Sequence, residues 1–355
     1  MASTSAVDWG YARVVANRIG GPGPQIPLSE AKAAVAQLRE SAAAAVPLVA
    51  ERTQLHAPAA PESIAVVDRA GWTDANALAF RTLLDPLTER IQLRKGASKS
   101  PVGSFGSRVA GAEVGAALGF LSARVLGQYE LFTEGATAPP RLLLVAPNIV
   151  HMERELDVDP IDFRLWVCLH EETHRVQFTA VPWLGPWLRS EISGYLDTVD
   201  LDSGQLAQRL KQVGAALLGA LRGLDVVSVL EDAMTPAERE LLGRLTGVMS
   251  LLEGHADVMM DEVGPDVLPT VVTLRKKLQQ RRTEPTGREA FVRRLMGMES
   301  KLAQYRDGAA FVRAVIAEVG LEGFNRVWSS PQTLPSRIEL HDPKAWVSRM
   351  QDHAS

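Results

Sequence analysis

The run His170-Glu171-Glu172-Thr173-His174 constrains this chain more than any other feature. It lies in a helix predicted over 163–179, whose other residues are largely apolar. Because a helix turns about 100° per residue, side chains four apart project from one face, one turn from each other. Burying two histidines and two glutamates in such a helix is costly without a compensating partner, and a metal ion is one.

The five residues fit the pattern H-E-x-x-H, in which two histidines bind zinc and the glutamate acts as a general base. Their spacing suits two imidazole nitrogens on one Zn²⁺ at about 2.0–2.1 Å. Glu171 lies about 100° around the helix from His170, so it is near the ion but poorly placed to be a ligand. We predict one zinc per chain, with His170 and His174 as ligands and Glu171 as the catalytic base. A helix end with an exposed polar face is the alternative.

A catalytic zinc usually has three protein ligands and an open position. The best further candidates lie in the run Glu253-Gly254-His255-Ala256-Asp257, within a helix predicted over 236–262. Glu253 and Asp257 share a face, whereas His255 lies about 200° from Glu253. We predict Glu253 as the third ligand and Asp257 as an acceptor that orients a ligand imidazole. The alternatives are His255, His151, or a solvated acidic stripe formed by Glu253, Asp257 and Asp261.

Other polar residues give further candidates for the site. Hydrolysis needs a donor that stabilises the developing oxyanion, and the candidates are His255, Tyr195, Tyr305 and Arg306. The apolar run 142–150 is predicted to be a strand, either a substrate-binding edge or an ordinary core strand. Cys168 points away from His170 and is predicted to be a buried structural thiol.

Helical periodicity dominates the rest of the chain, so we predict a mainly α fold with a small β-sheet. In it, the metal-binding helix is accompanied by a second helix that carries the glutamate ligand. A glycine-rich helix is predicted over 103–129. Because Glu113 and Arg124 interrupt its apolar run, we predict that it is closely packed rather than membrane-spanning. The predicted division is an N-terminal helical region, 1–135, and a catalytic region, 136–355, with a single domain as the alternative. The proline-rich tail is predicted to be mostly loop and to end in a short helix near Trp346.

Charge and cysteine content restrict the partners and the compartment. The net charge is −4 and the basic residues are scattered, so nucleic acid is not an expected partner. A single cysteine excludes a disulfide within the chain and is typical of cytoplasmic proteins. Residues 1–9 contain no basic stretch followed by an apolar core, so no signal peptide is expected.

The motifs resemble those of gluzincin peptidases, in which HExxH is followed by E-x-x-x-D on a later helix. The matching residues are His170, Glu171, His174, Glu253 and Asp257, with a longer separation between His174 and Glu253 than is common in that clan. A closer resemblance is to a zincin-like family found mostly in high-GC Gram-positive bacteria, one branch of which is named for its association with deazaflavin coenzyme biosynthesis. The segments that carry it are 115–130, 142–150, 170–178, 251–264, 299–308 and 328–346. The resemblance implies a mostly helical zincin-like fold and zinc-dependent peptidase or hydrolase activity.

Three functions are compatible with these residues. The first is a metallopeptidase, in which zinc lowers the pKa of a water molecule and Glu171 takes its proton. The second is a zinc hydrolase that acts on a non-peptide small-molecule amide. The third is a non-catalytic helical interaction protein with a structural metal, which the presence of only three good ligands disfavours, because structural zinc sites normally have four.

Overall fold

The computed structural model describes residues 7–58, 64–94, 101–132, 140–198, 235–283 and 298–352. These residues form mostly helices and a small sheet, which confirms the predicted fold class. The longer helices are α1 (Trp9–Gly20), α2 (Leu28–Thr53), α3 (Arg69–Arg94), α4 (Pro101–Ser122), α5 (Ala146–Glu155), α6 (Pro160–Ala180), α7 (Leu184–Thr198), α8 (Pro236–Asp261), α9 (Val271–Thr283) and α10 (Met298–Asn325). The strands are β1 (Ile64–Val67), β2 (Gly127–Tyr129) and β3 (Leu142–Val145), and the chain ends in the helices α11 (Arg337–His341) and α12 (Pro343–Asp352).

Internal packing groups the chain into two compact units, each assembled from separate stretches. The first unit contains Met1–Glu51, Ala57–Arg175 and Val263–Leu274. The second contains Arg52–His56, Val176–Glu262 and Arg275–Ser355. The division between residues 135 and 136 stays a prediction.

The sheet of the first unit has the order β1-β3-β2, with β1 parallel and β2 antiparallel to β3. All four residues of β3 are fully buried, so both faces of the sheet are covered at this strand. The strand ends at Val145 because Pro147 lies in the first turn of α5, a position that suits proline. The prediction of a substrate-binding edge over 142–150 is wrong and its alternative, a core strand, is confirmed for β3: among the described strands β3 is central and β2 is an outer strand.

Helix α4 packs against α1 through glycines at every fourth position. A methyl group added at Gly111, Gly115 or Gly119 would lie 2.4–2.6 Å from a backbone carbonyl oxygen of α1 or the residue that caps it. Any side chain there would keep the two backbones apart, which explains the predicted close packing. The helix ends at Ser122, earlier than expected. Among the described helices, none is long and apolar enough to cross a membrane.

The second unit is organised around the crossing of α8 and α10. A methyl group at Gly254 would lie 2.2 Å from the carbonyl carbon of Gly308, and one at Gly308 would lie 1.9 Å from the carbonyl oxygen of Ser250. The two backbones are therefore in direct contact at the residue that follows Glu253. Apolar side chains of both helices surround this crossing, including the fully buried Leu251 and Phe311.

The proline-rich tail is more regular than predicted. Pro331 begins a short 3-10 helix where a loop was predicted. Pro343 begins α12, which contains Trp346 and confirms the short helix predicted there. The side chain of Trp346 is buried in the core of the second unit, and its indole nitrogen donates a hydrogen bond to the carbonyl oxygen of Thr333 (2.8 Å). The tail is thus part of the second unit's core.

Candidate metal centre and active site

The helix that carries the HExxH run begins with a well-formed cap. The side chain of Asp159 accepts hydrogen bonds from the backbone N–H groups of Ile161 (2.9 Å) and Asp162 (3.0 Å), and Pro160 occupies the first position of α6. The helix continues unbroken to Ala180. The predicted helix over 163–179 is confirmed, and the histidines lie in its interior rather than at an end.

His170 and His174 project together from α6, as their spacing predicts. Their Nε2 atoms are 3.2 Å apart, and their rings are nearly perpendicular, with centroids separated by 4.7 Å. Two nitrogens bound to one zinc at 2.0–2.1 Å in tetrahedral geometry would be about 3.3 Å apart. The same separation permits a direct hydrogen bond in the metal-free protein when one ring carries a proton on Nε2. The pair is thus spaced for a metal.

Glu253 is the third member of this group. One ligand atom from each of His170, His174 and Glu253 lies within 4.8 Å of the other two. The last turn of α6 also meets the α8 residues next to Glu253: Gln177 donates a hydrogen bond to the carbonyl oxygen of Leu252 (2.9 Å). Two imidazoles and one carboxylate form a donor set that suits a catalytic zinc, so the residues present fit the ion that was predicted.

Glu171 lies beside β2 and outside the group of ligand atoms. Its side chain is 8% exposed. A methyl group at Gly127 of β2 would come within 2.8 Å of its carboxylate carbon and of one carboxylate oxygen, so the acid packs directly against the strand. This placement, about 100° around α6 from His170, is compatible with the predicted role as a base rather than a ligand.

Glu172 is compensated by an arginine that the sequence reasoning missed. Arg175 donates two hydrogen bonds to its carboxylate, from Nε (2.7 Å) and Nη2 (2.6 Å), and both side chains are buried. These hydrogen bonds raise the pKa of Arg175. The buried charge of Glu172 is therefore compensated by Arg175 and does not need a metal ion, contrary to the expectation from the motif. The spacing of three residues on one helix was the available signal.

His255 lies in the aromatic core of the second unit. It is fully buried, stacked on Phe324 (centroids 5.5 Å apart) and edge-on to Trp328 (5.3 Å). The side-chain nitrogen of Gln177 lies 2.9 Å from its Nδ1. These contacts indicate a structural role for His255 and do not favour its predicted use as a ligand or oxyanion donor.

The remaining candidates are Tyr195, Tyr305, Arg306 and His151. Tyr195 is half-buried on α7. The side chains of Tyr305 and Arg306 lie outside the described residues. His151 is exposed on α5, with Nε2 3.5 Å from a carboxylate oxygen of Glu155, and it does not belong to the group of ligand atoms.

Two acidic residues follow Glu253 on α8. Asp257 is half-buried, and its role in orienting a ligand imidazole stays a prediction. The carboxylate of Asp261 forms ion pairs with Nε of Arg275 (2.6 Å) and with Nη2 of Arg313 (2.7 Å). A stripe of solvated acids is therefore not an adequate description of this face, because Asp261 is held in an ion-pair network.

Cys168 is buried, as predicted, with its sulfur 3.8 Å from the carbonyl oxygen of Leu38. Burial raises the pKa of its thiol well above the ordinary value, and the negative charges of Glu171 and Glu172 act in the same direction. A neutral, inaccessible thiol is a poor metal ligand and a poor nucleophile.

Comparisons with known proteins identify the family of this chain. The sequence profile of a family described as zincin-like metallopeptidase matches residues 7–347. The crystal structure of a protein from Chloroflexus aurantiacus, described as a candidate hydrolase with a novel fold, is similar over 97% of this chain and 99% of that chain, with 31% identity and a TM-score of 0.69. A comparison with curated proteins finds no match. The chain therefore belongs to the zincin-like metallopeptidase family.

Proposed function

We propose that this protein is a zinc-dependent peptidase. Membership of the zincin-like family and similarity to a candidate hydrolase support hydrolysis as the reaction class. The observation that carries the finer proposal is the grouping of ligand atoms from His170, His174 and Glu253, with a further acid, Glu171, next to one of the histidines but outside the group.

The proposed roles follow from the positions of these side chains. His170, His174 and Glu253 would hold the ion. When bound, zinc supplies a Lewis acid that activates water and polarises the scissile carbonyl. Glu171 accepts the proton of the attacking water on its carboxylate and passes it to the leaving amine. Because the base and two ligands share one helix, their relative positions are set by a rigid backbone.

The edge of β2 supports peptides as the substrate class. Leu126 accepts a hydrogen bond from the N–H of Val145, and the N–H of Glu130 donates to the carbonyl oxygen of Arg141. In an antiparallel pair such bonds alternate, so the backbone groups of Gly127 point away from β3. Among the described residues, no strand pairs with that side of β2. An extended peptide could add there as a further strand, beside Glu171.

Replacing Glu171 by glutamine tests the proposal. The variant is expected to keep its zinc, because Glu171 is not a ligand, and to lose about 10²–10⁴-fold in turnover, because the amide cannot accept a proton. The assay is digestion of a mixed peptide library, with products identified by mass spectrometry and zinc measured on the same samples. Glu318→Gln, at an exposed position on α10, is the matched control and should cleave like the wild type.

Each other result of this assay has a defined meaning. Unchanged cleavage by Glu171→Gln would exclude the general-base role. Hydrolysis of small amides without cleavage of any peptide would favour the non-peptide hydrolase. A zinc-loaded wild type that hydrolyses neither would point to the non-catalytic protein.

A further inference from the structure

Gly127 is an unusual residue for its position in β2. Glycine in a strand weakens it, and where it occurs it often marks a bulge or a close approach of another group. The described glycines with positive φ are Gly21, Gly23, Gly264 and Gly320, and Gly127 is not among them. Its backbone conformation is therefore open to any residue, and the reason for glycine must lie in its surroundings.

The surroundings identify one neighbour. A methyl group at Gly127 would lie 2.5 Å from Cδ, 2.6 Å from Cγ and 2.8 Å from Oε1 of Glu171. These three are its nearest atoms, so no residue of β3 comes as close. Separations below about 3 Å between carbon atoms are far inside van der Waals contact. The end of the Glu171 side chain thus occupies the volume that a side chain at position 127 would need.

The electrostatics of Tyr129 indicate that a second residue of β2 lies near the same face of α6. Tyr129 lies two residues after Gly127, on the same side of the strand. Burial raises its pKa, and the positive charge of Arg175 opposes that rise. Arg175 is one helical turn beyond Glu171 and shares its face. Two residues on one side of the strand therefore lie near two successive turns of the helix.

We propose that Gly127 is a positioning residue: the bare backbone of β2 at this point fixes where the Glu171 carboxylate lies. The inference rests on the proposed function of Glu171 as the base. A wider residue would leave the histidines in place and displace only the acid, by rotation of its side-chain bonds. Because misplacing a reacting group by about 1 Å can reduce a rate about 100-fold, a methyl group is enough to impair the reaction.

The test compares Gly127→Ala with the wild type in crystal structure, zinc content and peptide turnover. The Glu171 carboxylate is expected to move by about 1 Å or more, while zinc content and KM stay unchanged and kcat falls about 100-fold. Gly243→Ala on α8 is the matched control, since a methyl group there would meet nothing within 4 Å. A carboxylate that stays in place, or wild-type kcat, would overturn the proposal.

Double variants separate this proposal from the proposed function. Gly127→Ala added to Glu171→Gln should slow the reaction no further, because both act on one group. An inactive Glu171→Gln with a fully active Gly127→Ala refutes only the positioning role, whereas a fully active Glu171→Gln refutes the base itself.

Folding provides a readout that needs neither zinc nor substrate. In chelated protein, any loss of melting temperature caused by Gly127→Ala should vanish when Glu171→Ala removes the three clashing atoms. Recovery in that double variant supports the contact even if Gly127→Ala alone folds poorly. The same loss in both backgrounds would contradict it.

Discussion

His170→Ala is expected to lose its zinc, whereas the wild type should contain close to one zinc per chain. Removing an imidazole leaves one histidine and one carboxylate, too few to form a stable site. The fall in affinity should exceed the 10–100-fold that follows loss of a group that merely orients a ligand. Metal analysis of purified protein measures the content, and a competing chelator measures the affinity.

A matched histidine variant makes this result specific. His151→Ala changes an exposed residue of α5 outside the group of ligand atoms and should keep its full zinc content. Full retention of zinc by His170→Ala would show that the ion, if bound, lies elsewhere. Loss of zinc from His151→Ala as well would restore that residue as a ligand candidate.

Gly308→Ala is expected to produce the largest loss of stability. The added methyl group would lie 1.9 Å from the carbonyl oxygen of Ser250, a backbone atom that can move only if α8 and α10 separate. Overpacking typically costs 1–3 kcal/mol, and we expect at least about 3 kcal/mol here because backbone is involved on both sides. The midpoint of urea unfolding measures the change.

The crossing at Gly308 also sets the position of Glu253, so the same variant should bind zinc more weakly. Gly243→Ala, in open space on α8, should be neutral or stabilised by up to about 1 kcal/mol, because alanine favours the helix. A Gly308→Ala protein as stable as the wild type would contradict the direct backbone contact.

Local periodicity accounts for what the sequence could predict. The HExxH helix, the glycine-rich helix and the helix that carries Glu253 all follow from spacings within a few turns. The order of the strands does not, because pairing joins residues distant in sequence, and a buried run such as β3 reads the same at a centre or an edge. We therefore propose β2 as the peptide-binding edge, in place of the predicted edge at β3.

The site shows the same limit. A helical projection places His255 away from Glu253. It cannot show that the imidazole of His255 stacks on the ring of Phe324, which is distant in sequence. The pairing of Glu172 with Arg175 could have been predicted from the sequence, since both residues lie on one helix. The contact between Gly127 and Glu171 could not have been predicted, because nothing in the local sequence around Gly127 indicates which helix lies against it.

The most direct test of the central claim is a titration of zinc into chelated wild-type protein while peptide hydrolysis is followed. Hydrolysis should be absent without metal, rise in proportion to added zinc, and reach a plateau at one equivalent per chain. Full hydrolysis by the metal-free protein, or none of any library peptide at one equivalent, would contradict the assignment of a zinc peptidase centre to His170, Glu171, His174 and Glu253.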